Sequence, residues 1–410
     1  MNTAFFIAKR LQTISNKSSV SSPIIKIAIT AMAVGIVMMI LAVSVGIGFQ
    51  KKIREKMAVF NGHIIITNYD DNNSEISKNP ISIHQEFYPE FKNISGIKHV
   101  QAVANKMGVI RTETAVEGVN LKGVGLDYDW SGIEEFITQG KIPKFVANGV
   151  STEIIISEYL AERLHLKLND NCATYFLKDD AQKYNTRVFK IVGIYNSGFQ
   201  EFDNSFIIGD LRHIQRINKW KPDQIGAFEV FLDDFEQLDT KGLEIYESTP
   251  SELNSYTIKE KFAFIFDWLL LLDTNIILII CIMILVATIN MVVVLLVLIL
   301  EKSTFIGILK SLGANNWMIR KIFIWQALKI ILYGLFYGNL FALGIIFIQK
   351  QFEIIQLPPE NYYVTVAPLD FNILHILIIN IGTALIALLV LLLPSYLITK
   401  ISPVKAMKFD

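Results

Sequence analysis

Hydrophobic positions fall into two regimes along this chain. In four places, 27–50, 274–300, 330–349 and 371–399, they run on for twenty residues or more without a charge. Each run is long enough to cross ~30 Å of hydrocarbon as a helix. Between the first run and the second, apolar and polar residues instead alternate in short stretches broken by Gly, Asn and Pro. The pattern predicts a membrane protein with four transmembrane α-helices in a one-plus-three layout and a large α+β extracytoplasmic domain between helices one and two. The expected order is an N-terminal segment 1–26, spans 27–50, 269–300, 322–349 and 371–399, an outer domain 51–268, a loop 301–321, a second loop 350–370 and a tail 400–410.

Within the outer domain, 62–67, 106–112, 116–124, 153–156, 187–195 and 228–232 read as strands, being rich in β-branched residues and bounded by turn formers. The 153–156 strand feeds a helix over 157–164, for which Ser157 is the expected N-cap. Within run three, Gly334, Gly338 and Ala342 are four residues apart, a small-residue stripe that admits a close neighbouring helix, from this chain or a second copy. Asn290 and His375 are the polar residues to note in runs two and four; a polar group in lipid needs a partner.

Charge sets the orientation. Lys9, Arg10, Lys17 and Lys26 precede run one with no acid, and Lys302, Lys310, Arg320 and Lys321 face a single acid, Glu301, between runs two and three. The tail carries Lys400, Lys405 and Lys408, whereas the 350–370 loop is acidic on balance. Cationic loops stay cytoplasmic, so both termini and the 301–321 loop are expected inside a bacterial inner membrane and 51–268 outside. Residues 51–273 hold 25 basic against 33 acidic residues, and no basic patch points to nucleic acid. Run one continues to Phe49, well past a signal core of about 7–15 residues, which favours an uncleaved anchor over a signal peptide. Phe5, Phe6, Ile7 and Leu11 beside Lys9 and Arg10 suggest a short amphipathic helix on the inner leaflet. Cys172 and Cys281 lie in different regimes and no disulfide is expected.

Catalytic chemistry has little warrant. His63, His84, His99, His165 and His213 are scattered without paired-ligand spacing. Neither a phosphate-binding Gly-x-x-x-x-Gly-Lys-Ser/Thr loop nor a Gly-x-Ser-x-Gly elbow is present, so any ATP used must be hydrolysed, with its Mg, on another chain. Phe262, Phe264, Ile265, Phe266 and Trp268 crowd the approach to run two as an interfacial belt would; Phe49, Phe264 and Trp268 are the candidates for a lipid entrance.

The 301–321 loop is the most specific segment. Phe305, Ile308, Leu309 and Leu312 recur at helical spacing and form one apolar face of a short helix, with Lys310 on its solvated side. Gly313 supplies the stop and Asn315 or Asn316 caps the next helix. Such a helix pinned between two spans is a handle for a cytoplasmic partner. The run Glu301-Lys302-Ser303-Thr304-Phe305-Ile306-Gly307-Ile308-Leu309-Lys310-Ser311-Leu312-Gly313-Ala314 resembles the signature loop of FtsX/MacB-type ABC transporter permeases, most closely their lipoprotein-releasing (LolC/LolE) branch. The opening Phe6-Ile7-Ala8-Lys9-Arg10 with Gly48-Phe49-Gln50, the 189–195 strand with Gly198 and Asp203, the 357–364 segment before Pro368, and the exit from Pro394 through Ala406 resemble the same branch.

The resemblance implies a non-catalytic permease that dimerises with a second copy or a paralogue. It implies a LolD-like ATPase dimer engaged through Glu301, Lys302, Phe305, Ile308, Leu309, Leu312 and Gly313, and no cofactor on this chain. Its cargo would be a lipoprotein, drawn from the outer leaflet and handed to a LolA-like periplasmic carrier. Two departures from the family stand out: Phe305 occupies a place often held by an acid, and the carrier-recruiting hairpin, Lys178-Asp179-Asp180-Ala181-Gln182-Lys183-Tyr184-Asn185-Thr186, is short and polar. Either Lys178, Asp179 and Tyr184 dock the carrier, or this is the subunit that does not recruit it. A MacB-like efflux permease and an FtsX-like transducer acting on an envelope enzyme are the competing readings; an outer domain as large as 51–268 argues against the latter.

Overall fold

A computed structural model describes residues 21–71, 76–146, 149–177, 184–358 and 362–400. Two units compose it: one helical, from residues up to 49, 269–356 and 366 onward, and one mixed α/β, from 50–268 with 357–365. The amphipathic segment expected at 5–11, the hairpin tip 178–183 and the tail 401–410 lie outside the described residues.

Among the described residues four helices are long and apolar enough to cross a membrane. Helix one is Ser21–Asn61, helix two Ala263–Glu301, helix three Asn316–Phe352 and helix four Ile373–Ser395. Helices one to three outrun their apolar stretches because polar flanks continue the same hydrogen-bonded ladder. At the ordinary helical rise, helix one is roughly 60 Å long, about twice a hydrocarbon core. The glycine stripe is consumed within the chain: a Cβ on Gly334 would lie 2.4 Å from Met32 Cγ, and one on Gly338 2.7 Å from Ile36 Cβ. Both pairs ascend together, so helices one and three run side by side in the same direction. Between helices three and four the polar contact is a reciprocal pair, Asn339 Nδ2 to Asn380 Oδ1 at 2.7 Å and Asn380 Nδ2 to Asn339 Oδ1 at 3.0 Å, rather than one made by Asn290 or His375.

Among the described residues the α/β unit holds twelve strands: β1 Ile64–Asn68, β2 Ile81–Ser82, β3 Ile97–Arg111, β4 Val116–Val124, β5 Ile137–Gly140, β6 Glu153–Ser157, β7 Asn171–Leu177, β8 Tyr184–Tyr195, β9 Phe206–Asp210, β10 Gln224–Ile225, β11 Ala227–Leu232 and β12 Leu253–Thr257. Ten form one sheet in the order β12-β1-β11-β3-β4-β9-β6-β8-β5, and β7 pairs with both β3 and β8. Pairing therefore closes on itself through β3, β4, β9, β6, β8 and β7. Pairs β4–β9 and β6–β8 are parallel and the other pairs in this circuit antiparallel. The expected strand 106–112 is only the far half of β3, whose near half carries Gln101 and His99 and lacks a clean alternation. Ser157 caps the helix Glu158–Leu164, its Oγ accepting from Leu160 N at 3.1 Å. Buried Ile154, Ile156, Phe176, Phe189 and Ile207 lie among the strands, with Leu211 and Ile214 of the helix Leu211–Asn218 close against Gly123 of β4.

Candidate functional site

The loop between helices two and three contains a nine-residue helix, Ser303–Ser311. Gly313 lies in the left-handed region at φ +89°. The helix closes there with a Schellman arrangement, in which Gly313 N donates to Lys310 O at 3.1 Å and Ala314 N to Leu309 O at 2.9 Å. Asn315 caps helix three, its Oδ1 accepting from Met318 N at 2.7 Å. Glu301 and Lys302 pair with each other at 3.3 Å. The apolar face is turned from its expected position. Ile306 is fully buried in the core that also holds Ile319, Phe323 and Ile398, and Leu309 packs against the same core. Ile308 and Leu312 point away, 44% and 79% exposed, and Phe305 is half-buried between the two sides. The predicted stripe splits because a helix lying on a bundle must seal it with one side. Lys310 is not on a free solvated face either: Nζ donates to Ile398 O at 2.7 Å, tying the loop helix to the short helix Leu397–Lys400 that follows helix four.

A second constellation joins segments far apart in the chain, all within the α/β unit. Phe60, on the last turn of helix one, stacks on Phe202 at 4.7 Å; Phe202 stacks on Phe199 at 4.8 Å, and Phe199 on Tyr363 at 4.8 Å. Trp268 meets the edge of Tyr363 at 5.9 Å. Offset stacks at these separations add about 0.5–1.5 kcal/mol each beyond the area they bury. Beside this column, Lys56 Nζ donates to Ser197 O and, at 3.2 Å, to Tyr363 O. Asp203 Oδ1 accepts from Ser197 Oγ at 2.7 Å, and burial pushes its carboxyl above the usual carboxylate range against those hydrogen bonds. Sequence reasoning singles out 189–195 with Gly198 and Asp203, Trp268, and 357–364 as separate features; the fold brings Asp203, Trp268 and Tyr363 of these into one neighbourhood. Lys56 and Phe60 were missed, since a lysine and a phenylalanine just past an apolar run carry no local signal.

The expected lipid entrance divides. Phe49 is buried, with neighbouring Gly48 so close to the Pro368 carbonyl that a Cβ would sit 2.4 Å from it. Phe264 is 82% exposed, and Trp268 is half-buried against Tyr363. Phe49 therefore offers no ring to lipid. In the hairpin, Lys178 and Asp179 lie outside the described residues. Tyr184 is exposed and packs edge-on to Tyr175 at 5.5 Å. Registers Leu177↔Tyr184 and Ala173↔Val188 put Leu177, Tyr184 and Val188 on one outward, partly apolar face of the two strands. Deeper in the unit, Lys122 Nζ binds Glu229 at 2.7 and 2.9 Å and the Phe60 carbonyl at 2.5 Å, with burial drawing the amine down and Glu229 opposing it. Among the described residues no cluster of His, Cys, Asp or Glu could hold a metal ion.

Comparison with known proteins accounts for both halves. Residues 27–240 match the MacB-like periplasmic core domain, and residues 277–403 match the FtsX-like permease C-terminal domain. The chain belongs to the FtsX/MacB permease family. It is 24% identical to the lipoprotein-releasing system transmembrane protein LolE of Haemophilus influenzae over 99% of both chains. To the corresponding LolC of Buchnera aphidicola it is 24% identical, over 93% of this chain and 92% of that one. An uncharacterised Buchnera membrane protein is 26% identical over 98% of both. Among solved structures, the extracellular domain of the transporter YknZ overlaps 48% of this chain and all of its own at TM-score 0.31 and 16% identity. The periplasmic region of MacB from Actinobacillus actinomycetemcomitans overlaps 50% of this chain and 92% of its own at 0.33 and 14%. At those scores neither adds to the assignment. Like its LolE and LolC relatives, the chain is a non-catalytic membrane component of an ABC transporter, with ATPase activity residing in a separate subunit.

Proposed function

We propose that this chain is a permease subunit of a lipoprotein-releasing ABC transporter in a bacterial inner membrane. One observation carries the reading: collinearity, from end to end, with relatives named as lipoprotein-releasing transmembrane proteins. The site is consistent with it. The loop helix is sealed on its Ile306 side and open at Ile308 and Leu312, which suits a groove on a cytoplasmic ATPase. The outward face of β7–β8, with Leu177, Tyr184 and Val188, is the surface proposed to meet a soluble carrier. Exposing lipid chains to water at ~0.8 kcal/mol per CH₂ amounts to tens of kcal/mol for a triacylated cargo, so extraction needs both a covered apolar path and a power stroke. Depleting the protein should leave outer-membrane lipoproteins stranded in the inner membrane. Normal lipoprotein sorting, with lost resistance to a small toxic compound instead, would assign efflux.

A further inference from the structure

Arg320 and Lys321 stand in the second turn of helix three, immediately before its apolar stretch, and no Asp or Glu occurs from Lys302 to Phe352 or from Phe371 to Lys400. Glu301, the acid nearest to them in sequence, is paired with Lys302. Both cations lie over rings. The Arg320 guanidinium is 5.1 Å from the centre of Tyr396, the residue that closes helix four, and the Lys321 amine is 5.5 Å from that of Trp317. A ring attracts a cation but leaves its N–H groups needing an acceptor. Arg320 Nε is buried and has no hydrogen-bond partner among the described residues. Trp317, Lys321 and Tyr396 are exposed, so an anion can reach this end of helices three and four.

The pattern along helix three says what kind of anion fits. Trp317, Lys321, Trp325, Lys329 and Tyr333 recur every fourth residue and so follow one slowly turning stripe. Trp and Tyr mixed with Lys in this way is the composition of a membrane interface. Past the cations the same flank is apolar, with Leu332 and Phe336 exposed. Leu332 is roughly 17 Å from Lys321 along the axis at the ordinary helical rise. A molecule that satisfies both regions carries a negative head and an apolar tail. We propose that the adjoining ends of helices three and four bind an anionic phospholipid, its phosphate held by Arg320 and Lys321 and its acyl chains lying along the flank through Leu332 and Phe336. Arg320 suits the role because a guanidinium stacked on a ring keeps a planar fork of donors that matches phosphate oxygens. An acidic patch on a cytoplasmic ATPase would answer the two charges, but it would leave the apolar flank beyond them uncovered. The inference goes beyond the permease reading and requires only that helix three crosses a membrane.

The test is native mass spectrometry of the full chain in detergent, titrated with dioleoyl phosphatidylglycerol or dioleoyl phosphatidylcholine. The wild type should retain the anionic lipid at least tenfold more tightly, and 10 mM inorganic phosphate should not displace it. Arg320→Gln/Lys321→Gln should cut the preference to below threefold. Lys26→Gln/Lys350→Gln, which removes as much charge elsewhere on the helical unit, should keep it. Equal retention of the two lipids by the wild type, an undiminished preference in Arg320→Gln/Lys321→Gln, or an equal loss in Lys26→Gln/Lys350→Gln overturns the site. Displacement by free phosphate also overturns it, because it would mean an anion site indifferent to the lipid tail. If Arg320→Gln/Lys321→Gln gives no folded protein, Lys321→Gln alone decides, since that side chain is exposed: a fall of threefold or more supports the site and an unchanged preference overturns it. Loss of ATPase capture by Arg320→Gln/Lys321→Gln with the lipid preference intact would assign the two cations to the ATPase and overturn the proposal.

Discussion

Lys122 illustrates what a single side chain does in this protein and why it escapes a sequence reading. It sits in an alternating strand where a lysine is ordinarily read as solvent-facing, and its partner Glu229 is 107 residues away. Removing one member of such a buried pair strands the other, a loss of about 3–5 kcal/mol, whereas replacing both with apolar groups is often near neutral. Lys122→Met should therefore lower the urea midpoint sharply and Lys122→Met/Glu229→Met should recover most of it; a double variant as unstable as the sum of the singles would show the pair is not the issue. His63 gives a pH signature. Its Nδ1 accepts from Leu232 N at 3.0 Å, and burial, aided by Lys98, lowers its pKa from 6.5 to about 4. Between those two values the unfolded chain holds a proton that the folded one refuses, so stability falls as pH drops through that window, by up to about 3 kcal/mol. His63→Asn should flatten this part of the curve. An unchanged slope would mean other groups dominate it.

Among the elements, length and caps were legible in the sequence and rotational setting was not. Gly313 and Asn315 bracket the loop helix as their backbone preferences require, because those signals are local. Which side of the helix faces out depends on what it lies against, and only the bundle decides that Ile306 is sealed while Leu312 is free. Gly334 and Gly338 likewise announced a close helix contact without naming the neighbour; the fold supplies Met32 and Ile36 from helix one. The loop helix yields a paired prediction. Leu312→Asp should leave the protein folded yet weaken ATPase capture by two to three decades, since an unpaired carboxylate driven into an apolar groove loses about 3–4 kcal/mol. Ile306→Asp should instead reduce the yield of folded protein. Equal ATPase pull-down by Leu312→Asp and the wild type would remove this helix from the coupling interface.

For the whole molecule, the one-plus-three layout was legible because long charge-free apolar runs have few other uses. The closed strand circuit and the aromatic column were not, since both depend on pairings between segments remote in the chain, such as β3 with β9 through β4 and Phe60 with Phe202. Sidedness is carried by Lys and Arg and is open to direct test. A cysteine at Asn316 should resist an impermeant thiol reagent in intact cells, while one at Asn185 should react once the outer membrane is permeabilised; the reverse would invert the topology. The central claim is that ATP hydrolysed on a partner drives lipoproteins out of the membrane through this chain. The most direct measurement is release from proteoliposomes holding the purified permease, its ATPase and a triacylated lipoprotein, with a soluble acceptor outside. ATP-dependent appearance of the lipoprotein on the acceptor, abolished by Leu312→Asp, is the predicted result. Nucleotide turnover with the lipoprotein left in the bilayer would contradict the account.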